Sequence, residues 1–128
     1  PITDFVVVPQ PGVAPELVVK VGAALRRLGF SATYLLNRER LTTQKSGAQM
    51  SAAAKGGAVH ALLVEAVEHG SVRRMDGQPG GGHVVLETLC ESENAADYKR
   101  RMTHSMGSAD DYILSLIDAR STSAPDRP

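Results

Sequence analysis

The stretch PELVVKVGAALRRL, Pro15 to Leu28, decides the fold, because it reads equally well as a helix and as a strand. Leu17, Val18, Val21, Leu25 and Leu28 share one face at helical spacing, whereas the β-branched Val18, Val19 and Val21 favour extended backbone. Gly29 ends the element in either case. Before it, Ile2 to Val8 is rich in β-branched residues and stops at Pro9-Gln10-Pro11-Gly12, the pattern of a strand running into a turn. After it, Thr33 to Lys45 reads as extended, with Arg38, Arg40, Thr42 and Gln44 at alternate positions and therefore on one face.

Further along, the small and polar stretch Ser46 to Gly57 reads as a loop or a weak helical turn. Val59 to Glu68 is a mostly apolar run taken as a strand. It pairs with a second strand, Val84 to Cys90, across a long hairpin whose tip, His69 to Gly82, contains Asp76-Gly77 and Pro79-Gly80-Gly81-Gly82. Ser92-Glu93-Asn94 supplies capping chemistry for a helix from about Ala95 to Met106, on which Ala95, Tyr98, Met102 and Met106 recur at helical spacing. Gly107-Ser108 breaks it. Asp110 and Asp111 suit the positive end of a second helix carrying Ile113, Leu114, Leu116 and Ile117. The predicted fold is α+β: an antiparallel sheet with two C-terminal helices on one face, in a single domain over residues 1–120 with a surface tail at 121–128.

Composition narrows the function. The 128 residues are 42% hydrophobic and 22% charged, the make-up of one ordinary globular domain. Fourteen Lys and Arg balance fourteen Asp and Glu, so recognition of a charged partner must come from local patterning. One cysteine, Cys90, forms no internal disulfide, and the four histidines lack ligand spacing, so neither a metal nor another cofactor is expected. No apolar stretch approaches the roughly 20 residues a membrane helix needs. With no Trp, three Tyr and two Phe, an aromatic platform for single strands is not expected.

Two constellations could carry function. Guanidinium, hydroxyl and amide groups at Arg38, Arg40, Thr42 and Gln44, with Lys45 beside them, stand about 6.5 to 7 Å apart along one strand face, suited to phosphates and base edges. Pro1 is a secondary amine that can act as a base near neutral pH in apolar surroundings. The opening PITDFVVV with a following helix resembles tautomerase-superfamily proteins, which implies an enzyme using Pro1 as general base. The pairs Arg73-Arg74 and Arg100-Arg101 read as solvated charge. His60, His69, His83 and His104 read as structural or surface groups, and Cys90 as a buried small hydrophobe at a strand end.

The layout as a whole resembles the coat proteins of the small icosahedral single-stranded RNA phages. The resemblance rests on Ile2 to Val8 before a Gly turn, VAPELVVKVGAALRRLG from Val13 to Gly29, QKSGAQ from Gln44 to Gln49, the Asp-Gly hairpin, and SENAADYKRRM followed by SADDYILSLIDA. It implies a structural, non-enzymatic protein whose antiparallel sheet starts with an N-terminal hairpin. Two copies would form an obligate homodimer, the dimers would assemble into an icosahedral shell in the host cytoplasm, and the virion would hold single-stranded RNA on the inner sheet face. Carried over by position, Arg38, Arg40, Thr42, Gln44 and Lys45 would face the RNA. The tautomerase reading is the alternative.

Overall fold

The structure, a computed structural model, describes residues 3–34, 57–65, 68–104 and 112–123. It opens with strand β1, Thr3–Pro9, in which Phe5, Val6, Val7 and Val8 are all buried. A strand covered on both faces shows an unbroken apolar run, the signature of the middle of a parallel sheet. β2 (Ala32–Tyr34) pairs with it in parallel on one side and β3 (Ala58–Val64) in parallel on the other. β4 (His69–Arg74) then turns back antiparallel to β3, and β5 (Gly81–Val85) antiparallel to β4, giving the order β2-β1-β3-β4-β5.

Pro15–Arg27 is a helix, α1, and it connects β1 to its parallel neighbour β2. Pro15 stands in its first turn beside Glu16, Arg26 and Arg27 occupy its last turn, and both placements favour the helix ends. It stops in a Schellman arrangement: the Phe30 N–H donates to the Leu25 carbonyl (3.1 Å) and the Gly29 N–H to that of Arg26 (3.0 Å), with Gly29 at φ +96°. Val18, Val21, Ala24 and Leu25 are buried toward the sheet. The N-terminal hairpin and the purely antiparallel sheet are thereby corrected. Parallel strands need a crossover, and the helical spacing of Leu17, Val18, Val21 and Leu25 supplies it, overriding the strand preference of three valines.

After β5, the described residues form three helices: α2 (Leu86–Glu91), α3 (Ala95–His104) and α4 (Tyr112–Ser123). The last two match the expected pair. The expected strand from Val84 to Cys90 ends instead at Val85, since Leu86 and Leu89, three apart, are both buried on a helix that also carries Cys90. The long hairpin is corrected with it, because β4 lies between β3 and β5 and takes up half of the supposed tip. Asn94 caps α3, its side-chain oxygen accepting from the Asp97 N–H at 2.8 Å. The helices and one sheet face share a core that includes Phe5, Leu62, Tyr98 and Ile113, while Val6, Val8, Ala61 and Leu63 form a second apolar cluster on the opposite face. Among the described residues no helix is long and apolar enough to cross a membrane.

Two positions tie the layers together. A Cβ on Gly22 would collide with Cε1 of the Tyr34 ring, so the bare backbone of α1 is what admits the β2 tyrosine, whose hydroxyl also accepts from Arg26 Nη1 at 2.8 Å. His60 is 6% exposed, stacks on Phe5 with ring centroids 5.3 Å apart, and has Nε2 3.4 Å from Tyr112 Oη. Burial, with Arg74 adding to it and Asp4 and Asp76 opposing, pushes the His60 pKa below its ordinary 6.5.

Gly22→Ala should therefore destabilise the protein by about 1–3 kcal/mol through overpacking, although the same change in an open helix would stabilise by about 0.5–1 kcal/mol; denaturant midpoints with an unchanged slope check it. For His60 the sign follows from linkage. Below 6.5 the unfolded chain takes up a proton that the fold resists, so stability falls as pH drops through the range beneath 6.5 and is unaffected by this group above it. Urea unfolding between about pH 7 and pH 5 should show that loss, and His60→Gln should flatten it; superimposable pH profiles would refute it.

Candidate nucleic-acid interface

β4 reads HGSVRR, and its period of two sends alternate side chains to opposite faces. Gly70, Val72 and Arg74 stand on the face that the helices cover. There Arg74 is paired with Asp76, its Nη2 2.5 Å from Oδ2 and its Nε 3.1 Å from Oδ1. That pairing, with a further bond to Tyr112, raises the Arg74 pKa above its ordinary value and draws Asp76 down to about 2. Gly80 lies against this cluster; a Cβ there would be 2.6 Å from Arg74 Cδ and 2.8 Å from Tyr112 Oη. Arg74 is thus a structural cation.

The other face carries His69, Ser71 and Arg73 from β4 and His83 from β5, which sits opposite Ser71 in the register. His69, Arg73 and His83 are exposed, and the two imidazoles lie side by side with centroids 5.4 Å apart. Among the described residues Arg73 has no carboxylate partner. Gly81, opposite Arg73, has φ +149°, and a Cβ there would be 2.5 Å from the Val72 carbonyl oxygen, so the position demands glycine. It also leaves the ground beside the guanidinium without a side chain, where a ligand can approach the backbone. In the middle of the row Ser71 Oγ donates to Glu65 Oε1 at 2.8 Å. The β1–β3 half of this sheet face is apolar and buried, and the β4–β5 half is polar and open.

The sequence-derived site residues Arg38, Arg40, Thr42, Gln44 and Lys45 lie outside the described residues, and so does Pro1. His60 is a core group. Arg73 and Arg74, read as a solvated pair, are divided between the two faces. Arg100 and Arg101 are both held by the carboxylate of Asp97, Arg101 Nε at 3.1 Å, and Asp97 also accepts from the Glu93 N–H at 3.0 Å. That backbone bond and the two guanidiniums hold the Asp97 carboxyl far below the usual carboxylate range. Cys90 is half-buried on α2, not at a strand end, and burial pushes its thiol up, so it is a poor nucleophile. No group of three or more metal-ligating side chains exists among the described residues.

The row His69, Ser71, Arg73 escaped the sequence reading because His69-Gly70 and the glycines after it mark a loop. Alternation of polar residues with Gly70 and Val72 was the available signal, the same one read at Arg38 to Gln44.

No protein-family model matches the chain, and no curated protein matches it. Solved structures do. The RNA binding domain of threonyl-tRNA synthetase from Cryptosporidium parvum Iowa II superposes with a TM-score of 0.55 at 13% identity, over 69% of this chain and 22% of that one. Apo S. aureus histidyl-tRNA synthetase superposes with a TM-score of 0.53 at 22% identity, over 70% of this chain and 23% of that one. The chain thus spans under a quarter of either protein, and at these identities the likeness is one of fold. It corrects the expected shell-forming function: a mixed sheet with the parallel trio β2-β1-β3 takes the place of the antiparallel coat layout, and the structures the chain superposes on are synthetases.

Proposed function

We propose that this chain is a non-catalytic RNA-binding module whose contact surface is the open half of the sheet, β4 and β5. The observation that carries the reading is the same-face set on two paired strands in which His69, Arg73 and His83 are exposed and Ser71 is half-buried between them. A guanidinium on a strand is a planar donor for phosphate or for a base edge, and its position is set by the ladder beneath it. Exposed imidazole planes accept unstacked bases, which is how single-stranded loops are usually gripped. The bare backbone at Gly81 lets the strand come close. The threonyl-tRNA synthetase domain of the same fold is described as RNA binding, which supports this reading.

With a net charge of zero, the module makes few phosphate contacts, so its affinity is modest and its salt slope shallow. Fluorescence anisotropy with a short single-stranded RNA and with a stem-loop of the same length tests it. Arg73→Ala should weaken binding to every sequence and reduce the slope of log K against log salt by about 0.7. His69→Ala with His83→Ala should cost about tenfold or more if a base stacks there. Arg74→Ala, on the covered face, should leave RNA affinity unchanged. Absence of RNA binding by the parent chain, or an Arg73→Ala variant that binds as the parent does, would sink the reading. Arg38→Ala with Arg40→Ala tests the sequence-derived strand as a separate contact.

A further inference from the structure

α1 and α2 lie side by side and leave between them a groove of about 570 Å³. Its lining is mostly apolar, from Leu17, Val19 and Ala23 on α1 and from Leu86 and Cys90 on α2. The two walls carry opposite charge. Lys20 and Arg27 stand on the α1 side, while Glu87 and Glu91 on α2, with Glu68 beside them, make the other side acidic. Arg27 spans the walls, its Nε and Nη2 donating to the carbonyls of Ser92 (3.0 Å) and Cys90 (2.8 Å), so the groove is held open at a fixed width. Among the described residues Lys20, Glu68 and Glu87 have no ion-pair partner. On the rim, Val19 is 43% exposed, the one large apolar side chain so exposed among the described residues.

We infer that this groove is the docking site for a second copy of the same chain. An isologous interface must be complementary to itself, and this patch meets the condition. A two-fold axis lying along the groove exchanges its walls, so the Lys20 side of one copy faces the Glu87 side of the other. The same rotation carries the exposed Val19 of each copy over the apolar lining of its partner. A foreign apolar segment would satisfy the floor but would need both charges at matching edges, whereas a second copy brings both. The patch is small compared with the roughly 1,000 Å² of a stable interface, so the association is weak and reversible.

Sedimentation velocity over a concentration series tests this on the whole chain. The parent should shift from monomer towards dimer as concentration rises, and added salt should reduce the shift. Val19→Glu, at a surface position that leaves the fold intact by circular dichroism, should remain monomeric throughout. Lys20→Glu should weaken association by about tenfold or more, since it sets two carboxylates face to face, and adding Glu87→Lys to it should restore the parent behaviour. A parent that stays monomeric to its solubility limit overturns the proposal. So does a dimer that Val19→Glu leaves intact, or a charge exchange that fails to restore what Lys20→Glu removes.

Discussion

Burial of β1 on both faces is the constraint from which the rest of the molecule follows. Phe5 and Val7 enter the large core and Val6 and Val8 the small one, so this strand cannot lie at an edge or beside solvent. Its neighbours β2 and β3 both run parallel to it, and each parallel step requires a crossover. The first crossover is α1, whose buried stripe of Val18, Val21, Ala24 and Leu25 closes the core over the sheet. The β1–β2 step is secured at its start, where Asp4 and Ser31 exchange hydrogen bonds: Ser31 N–H to Asp4 Oδ2 and Asp4 N–H to Ser31 Oγ, both 2.9 Å. Arg120 of α4 closes the same corner, donating to the Gly29 carbonyl at 2.8 Å and lying over the Phe30 ring.

The change of direction after β3 is what creates a usable surface. β4 and β5 extend the sheet as an antiparallel pair, and antiparallel strands tolerate water on one face where the buried parallel strands do not. One face of the pair completes the core through Val72 and Val84, and the other is free to carry His69, Ser71, Arg73 and His83. The tight ion pair between Arg74 and Asp76 belongs to this division of labour. Arg74 lies beside Tyr112 on the helix-covered side, and Asp76 from the following turn holds its guanidinium there through two hydrogen bonds at the partly exposed edge of the core. Adjacent arginines in one dipeptide consequently have unrelated roles, one structural and one available to a ligand.

Much of the secondary structure was legible and the pairing was not. The apolar runs at β1 and β3, the Asn94 cap and the helical spacings of α3 and α4 all depend on local chemistry, and all stand where the residues imply. Pro15 to Leu28 fails as a local problem, because propensity and periodicity disagree there and only the crossover requirement decides. An unbroken FVVV in β1 and ALLV in β3 did contain the clue, since a half-exposed antiparallel strand would alternate. The open site was hidden for a related reason: glycines at 70, 77 and 80–82 read as loop punctuation, yet Gly70 lies in β4, with a Cβ there only 3.1 Å from the Leu63 carbonyl oxygen, and Gly81 lies in β5. These glycines serve close packing within a sheet, which a single sequence cannot distinguish from a turn.

The chemistry of the chain is thus set by which strand face a residue occupies, more than by how many charges it carries. Zero net charge would ordinarily argue against a nucleic-acid partner, but a sheet sorts side chains by parity, and β4 places one arginine in the core region and the next in water. The same reasoning separates the two surfaces proposed to bind. The β4–β5 face is polar and carries an arginine with no carboxylate partner among the described residues, which suits an anionic polymer, whereas the α1–α2 groove is apolar with opposed charges on its walls, which suits another copy of itself. Because one surface is the open β4–β5 half of one sheet face and the other lies among the helices packed on the opposite face, occupation of the groove leaves β4–β5 accessible, and pairing through the grooves turns the two such faces away from each other, so a short RNA engages one copy at a time.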